Sequence, residues 1–241
     1  MNDYAVLTDD LEKRFGAFKA VRKLNLAVRQ GEIFGFLGAN GAGKTTAIRM
    51  LCGLLLPSSG RGTVAGFDIW RESEKIKQTI GYMSQRFSLY NDLSISENIE
   101  FYGGVYGLSR SQILEKRESL LDSLGISQRA NRLTRDMPLG YKQRLALGCA
   151  LLHEPQIVFL DEPTGGVDPE ARRNFWDLIY VLADSGKTIF VTTHYMDEAE
   201  YCNRVSIMYQ GEIIAMDSPA ALKKEYGKSS MQDVFIHLVD R

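Results

Sequence analysis

Hydrophobic residues in this chain come in short unbroken runs, separated by longer stretches in which they recur with helical spacing. Ile33-Phe34-Gly35-Phe36-Leu37, Ile157-Val158-Phe159-Leu160 and Thr188-Ile189-Phe190-Val191-Thr192 lack the polar alternation of a half-exposed strand. They read as strands buried on both faces. Strand and helix patterns alternate between them, which predicts a parallel sheet with crossover helices. The first thirty residues differ: Tyr4–Thr8 and Leu24–Val28 predict a β-rich opening, and Gln30-Gly31 turns the chain into the next strand. From about residue 87 to 150 the pattern is mostly helical. Ser94-Ile95-Ser96-Glu97 and Ser109-Arg110-Ser111-Gln112 read there as capping boxes, each pairing a serine with an acid or amide three residues on. Asp168-Pro169 caps and starts a helix that puts Phe175, Leu178, Ile179 and Leu182 on one face. Val205–Tyr209 and Glu212–Ala215 flank Gln210-Gly211 as a hairpin, and Ser218-Pro219 opens another helix. We expect a single domain over residues 1–241, with a helical subdomain at about 87–150.

Composition narrows the function classes. The chain has 241 residues, 44% hydrophobic and 24% charged, which suits one large α/β domain. A formal charge of −1 gives no electrostatic reason to expect a nucleic-acid partner. Cys52, Cys149 and Cys202 are odd in number and far apart, a pattern of reduced thiols in a cytoplasmic protein rather than of a metal site. Met1-Asn2-Asp3-Tyr4 does not read as a signal peptide. No apolar stretch approaches the ~20 residues that cross a bilayer, so a membrane role would run through a partner.

Gly38-Ala39-Asn40-Gly41-Ala42-Gly43-Lys44-Thr45 is a phosphate-binding P-loop in the setting it needs, after an apolar strand and before the helix-like Thr46-Ala47-Ile48-Arg49-Met50-Leu51. The glycines let backbone N–H groups close around phosphates at a helix N-terminus. Lys44 reaches the β- and γ-phosphates in such a loop, and the Thr45 hydroxyl ligates Mg²⁺. The expected ligand is a nucleoside triphosphate with Mg²⁺, touching residues 38 to 46 including Thr46. The second element is Leu160-Asp161-Glu162-Pro163. Two acids at the carboxyl end of a buried strand meet the ligand crevice of an open α/β sheet. Asp161 suits the Mg²⁺ shell, and Glu162 suits the activation of water.

In order along the chain, these motifs resemble those of the ATP-binding-cassette (ABC) ATPases, and the likeness covers nearly the whole length. It is closest to the nucleotide-binding subunits of type-2 exporters of the drug-efflux kind. The tract Met137-Pro138-Leu139-Gly140-Tyr141-Lys142-Gln143-Arg144-Leu145-Ala146-Leu147 carries it. So do Leu151-Leu152-His153-Glu154-Pro155, Thr193-His194-Tyr195-Met196-Asp197-Glu198-Ala199-Glu200 and Met231-Gln232-Asp233-Val234-Phe235-Ile236. The resemblance implies a P-loop NTPase with a RecA-like parallel core, an N-terminal antiparallel β subdomain and an inserted helical subdomain. It implies Phe15 under the adenine, Gln85 as the lid glutamine on Mg²⁺ and the water, Asp168 in the D-loop, and His194 as the switch on the γ-phosphate. Residues Arg86–Tyr90 would face a membrane subunit. His153 and His237 match no such place and read as structural.

The signature departs from the family's Ser-Gly-Gly-Gln. Pro138 holds the serine position, Leu139 the first glycine and Tyr141 the glutamine, while Gly140 remains. Proline is comfortable in a first helical turn, so the helix end can still face phosphate across a dimer. One hydroxyl donor is missing, a type of loss that elsewhere costs roughly 10²–10³ in rate. The resemblance implies a peripheral ATPase on the cytoplasmic face of the membrane. Its partners would be integral-membrane permease subunits and a second cassette, identical or homologous. The alternative is a regulatory cassette that binds ATP and hydrolyses little. A DNA-directed ABC ATPase would need a long coiled coil between Gln85 and Gly140, and no sustained heptads occur there.

Overall fold

The computed structural model describes residues 3–85 and 89–240. β1 (Tyr4–Phe15) and β2 (Phe18–Arg29) form a long hairpin, and β3 (Ile33–Leu37) leads through a loop into α1 (Lys44–Leu51). β4 (Ser59–Val64), β5 (Phe67–Asp68), α2 (Ser73–Thr79) and β6 (Ile80–Met83) follow. Next come α3 (Ile95–Val105), α4 (Arg110–Ser123), α5 (Leu139–Leu151), β7 (Ile157–Asp161), α6 (Pro169–Asp184) and β8 (Thr188–Thr193). The chain closes with β9 (Arg204–Tyr209), β10 (Glu212–Asp217), α7 (Pro219–Glu225) and α8 (Met231–Val239). One sheet has the order β2-β1-β4-β5 and is antiparallel. The other has the order β10-β9-β3-β8-β7-β6 and is parallel except where β10 meets β9.

The parallel sheet is covered on both faces, as its unbroken apolar runs require. Strand periodicity sends neighbours to opposite sides. Phe34, Phe36, Phe159 and Phe190 join the cluster under α1 and the antiparallel sheet, where Val21, Leu24 and Val28 meet them. Ile33, Leu37, Val158, Leu160, Ile189 and Val191 face the other way, onto Phe175, Trp176 and Ile179 of α6 and onto α7 and α8. The Phe159 and Phe190 rings stack with centroids 4.6 Å apart. Each fully buried phenyl ring stabilises by about 1.5–3 kcal/mol. A third cluster, with Ile95, Ile99, Leu121, Leu145 and Cys149, holds α3, α4 and α5 together.

Local chemistry sets the helix starts. Ser94 and Ser109 form the reciprocal capping boxes that their spacing predicts. Asp168 accepts from the Ala171 N–H at 2.9 Å, and Ser218 from Ala221 at 3.2 Å. Pro138 sits one place outside its expected position: it is the N-cap of α5, not a first-turn residue, and supplies no side-chain cap. The opening strands run to Phe15 and start at Phe18, well beyond Tyr4–Thr8 and Leu24–Val28. Polar residues such as Asp9, Asp10 and Lys13 fall around shifts in register, where the alternation breaks. β4 gave no signal because Ser59-Gly60-Arg61-Gly62 is neither apolar nor alternating; pairing with β1 makes it a strand. The three cysteines are free and buried. Among the described residues no helix is long and apolar enough to cross a membrane.

Candidate ATP site

The loop from β3 to α1 is shaped by what it must pass. Gly38 and Gly43 have φ of +154° and +108°. A Cβ on Gly38 would lie 2.4 Å from the Met208 carbonyl oxygen, and one on Gly43 2.6 Å from that of Ala20. Only glycine fits either place. Ala42 N–H donates to Ala39 O at 3.1 Å, and Gly211 N–H to Ala42 O at 3.0 Å. Ala39, Asn40 and Gly41 are exposed on the crest, with Thr45 and Thr46 half-buried in the first turn of α1. The Lys44 side chain turns back into the loop, where its Nζ donates to Gly38 O at 2.7 Å and Ala39 O at 3.2 Å. Burial pushes its pKa down, against the opposing pull of the Glu162 and Asp161 charges.

Strand register brings the other groups to the same place. Leu37 pairs with Thr193, Asp161 with Thr192, and Met83 with Leu160. The P-loop, Gln85, Glu162 and His194 therefore all emerge at the carboxyl edge of neighbouring parallel strands. Asp161 Oδ1 accepts from Thr192 Oγ1 at 2.7 Å and from Thr45 Oγ1 at 3.1 Å. Burial raises the Asp161 pKa, and the two hydroxyl bonds pull it back. Glu162 follows with φ of +49°, a left-handed conformation that is rare and strained outside glycine. Gln85 Nε2 donates to its Oε2 at 2.9 Å, and Lys44 Nζ lies 3.6 Å from its Oε1. His194 Nδ1 is 3.3 Å from Oε2, buried but not aligned as a hydrogen bond.

Thr45, Asp161 and Gln85 offer only hard oxygen donors for a metal. Among the described residues no group of three or more His, Cys, Asp or Glu could hold an ion alone. This set suits Mg²⁺, which keeps several waters and takes further ligands from phosphate.

Phe15 ends β1 at the tip of the hairpin that touches Gly43 through Ala20, is 51% exposed, and has Lys13 Nζ 5.2 Å from its ring centroid. Gly140 and Asp168 line a separate cleft of about 260 Å³ with Pro138, Tyr141 and Arg144. That cleft connects to the acid pair through Gln143, whose buried amide donates to the Pro163 carbonyl. His153 stacks on Tyr106 and bonds the Ile80 carbonyl, and His237 faces Tyr226, in keeping with structural roles. Residues 86–88 of the expected membrane-facing stretch lie outside the described residues; Tyr90 is exposed and edge-on to Phe101. Sequence reasoning missed Thr192, Gln143 and Glu198. The last is wholly buried and accepts from Thr164 Oγ1 at 2.5 Å. Their one signal was polarity at positions that the apolar pattern makes internal.

Known proteins share the family and the fold. The family model described as ABC transporter matches residues 21–165. The chain belongs to the ABC transporter family. A probable multidrug ABC transporter ATP-binding protein, YbhF of Escherichia coli, is 48% identical over 235 residues, which cover 95% of this chain but 41% of that relative. The linearmycin resistance ATP-binding protein LnrL of Bacillus subtilis is 37% identical, covering 91% of this chain and 71% of its own length. A solved ATP-binding subunit of an ABC transporter superposes with a TM-score of 0.86 at 26% identity, covering 98% of this chain and 99% of that one. The fold of this cassette is thus that of the ABC ATP-binding domains.

Proposed function

We propose that this chain is the ATP-binding and hydrolysing cassette of an export complex, coupling hydrolysis to substrate movement through separate integral-membrane subunits. The observation that carries the reading is the convergence of Gln85, Lys44 and His194 on the Glu162 carboxylate. Lys44 would leave the Gly38 carbonyl for the β- and γ-phosphates, and the P-loop amides would cradle them. Thr45, Asp161 and Gln85 would hold Mg²⁺, which when bound neutralises charge on the phosphates. Glu162 accepts a proton from the attacking water, Gln85 orients that water, and His194 meets the γ-phosphate. Phe15 stacks on the adenine from the hairpin tip. A second cassette brings Gly140 and Asp168 to the nucleotide from across a dimer, and the export role is in keeping with a relative named as a Nod factor export ATP-binding protein. The segment about 87–150 acts as a helical subdomain of one cassette, docked on the cytoplasmic face of the permease. A regulatory cassette that hydrolyses little is not favoured, since the base and its three partners are all present.

Glu162→Gln tests the reading. The shape is kept and the base is lost, so turnover should fall at least about 10²-fold while ATP affinity holds, and sedimentation should show an ATP-dependent dimer. A variant that hydrolyses ATP like the parent would falsify the assignment of the base.

A further inference from the structure

We propose that Thr192 is a positioning residue for hydrolysis, aiming Glu162 by holding the peptide between the two acids; this rests on the hydrolytic reading above. Thr192 is wholly buried, so it cannot touch nucleotide and must act through its neighbours. Its hydroxyl makes two bonds, and their directions are forced. The Glu162 N–H can only donate, so at 2.8 Å it takes a lone pair of Thr192 Oγ1. The single hydroxyl proton is then left for Asp161 Oδ1, 2.7 Å away. One side chain of β8 thus clamps both ends of the Asp161–Glu162 step. The clamp falls where the backbone leaves the strand into the left-handed region, at φ of +49°. Such a conformation persists only when its surroundings over-determine it.

The neighbouring position shows why this threonine is distinct. Thr193 Oγ1 accepts from the Tyr195 N–H at 2.9 Å, which turns the chain at His194. Two successive threonines therefore serve two groups: one fixes the base, the other the turn at the histidine. Without the Thr192 hydroxyl, the Glu162 N–H would be buried with no acceptor, and the turn would relax toward ordinary dihedrals. That would swing the carboxylate away from Gln85, Lys44 and His194 while leaving the P-loop intact.

The test compares the parent with Thr192→Val, which has the same shape, and Thr192→Ser, which keeps the hydroxyl. Three readouts are used: hydrolysis by the chain with its membrane partners, affinity for a fluorescent ATP analogue, and hydrogen exchange of the Glu162 amide by NMR. Thr192→Val should lower kcat about 30-fold, leave nucleotide affinity within about twofold, and speed Glu162 amide exchange. Thr192→Ser should restore both rate and protection. If Thr192→Val leaves the amide as protected as in the parent, the hydrogen bond is not what holds it. If exchange speeds up but kcat does not fall, or if Ser fails to rescue, the positioning role is overturned while the hydrolytic reading stands. A parent that does not turn over ATP, with Glu162 exchange still governed by Thr192, defeats the hydrolytic reading itself, and the positioning role with it.

Discussion

Pro138→Ser is the most informative substitution in the signature segment. Pro138 occupies the N-cap of α5 with φ of −58° and ψ of 149°, and Tyr141 and Lys142 both donate to its carbonyl at 3.1 Å. The same backbone is already used by a serine in this chain: Ser218 caps α7 at −61° and 147° and accepts from the residue three places on. A serine at 138 should therefore accept from Tyr141 N–H without moving the helix. A serine cap is worth about 0.5–2 kcal/mol, while releasing the proline ring frees the unfolded chain at a cost of about 0.4–1 kcal/mol. The two partly offset, so Tm should fall by no more than about 2 °C and rise by no more than about 6 °C. Because the cap uses a lone pair, the hydroxyl proton stays available to a phosphate brought across the dimer. Turnover should then change by less than about tenfold, roughly 1.4 kcal/mol in the barrier, with ATP affinity unchanged because Lys44 and the P-loop lie elsewhere. Steady-state hydrolysis in the complex with membrane subunits, set beside a thermal melt, reads both quantities. A silent parent awakened by the serine would refute the engine reading, and a large drop in Tm would refute the capping argument.

Two further substitutions test the site. Lys44→Ala removes the one buried ammonium that Gly38, Ala39 and Glu162 surround; ATP affinity measured by titration should weaken at least about 30-fold, or roughly 2 kcal/mol, and unchanged affinity would sink the P-loop role. Asp161→Asn should raise Tm while abolishing most turnover. Burial holds the Asp161 pKa above its ordinary value, so the ionised group costs stability near neutral pH, and that cost fades as pH falls through the raised pKa; the variant's advantage in melting should shrink on acidification, and an advantage that grows there would contradict the sign.

Much of this was legible in the residues. The P-loop, the acid pair and the buried strands carry local signals, so their places in the sheet follow from periodicity and glycine spacing. Both capping boxes and the Asp168 and Ser218 caps were readable for the same reason, since a cap is a contact between near neighbours in sequence. The long-range partners were not legible. Nothing around Thr192 announces that its hydroxyl will meet Asp161 and the Glu162 amide, because that pairing depends on the register of β7 against β8. The strand at Ser59–Val64 was hidden likewise, its structure imposed by β1. Pro138 shows the remaining limit: proline at a helix start was foreseen, but one residue of register separates a cap from a first turn.

The Gln143 amide reaching the Pro163 carbonyl has a consequence for how two such cassettes share their work. The helix capped by Pro138 would serve the nucleotide held by the opposite chain, yet its second turn is fastened to the peptide just after this chain's own base. A shift of that helix on engaging a second cassette would be passed through this hydrogen bond to the backbone beside the base. Two ATP molecules in such a sandwich would not turn over as independent events; each would report to its neighbour whether the seam is closed, and the stroke passed to the membrane would belong to the pair.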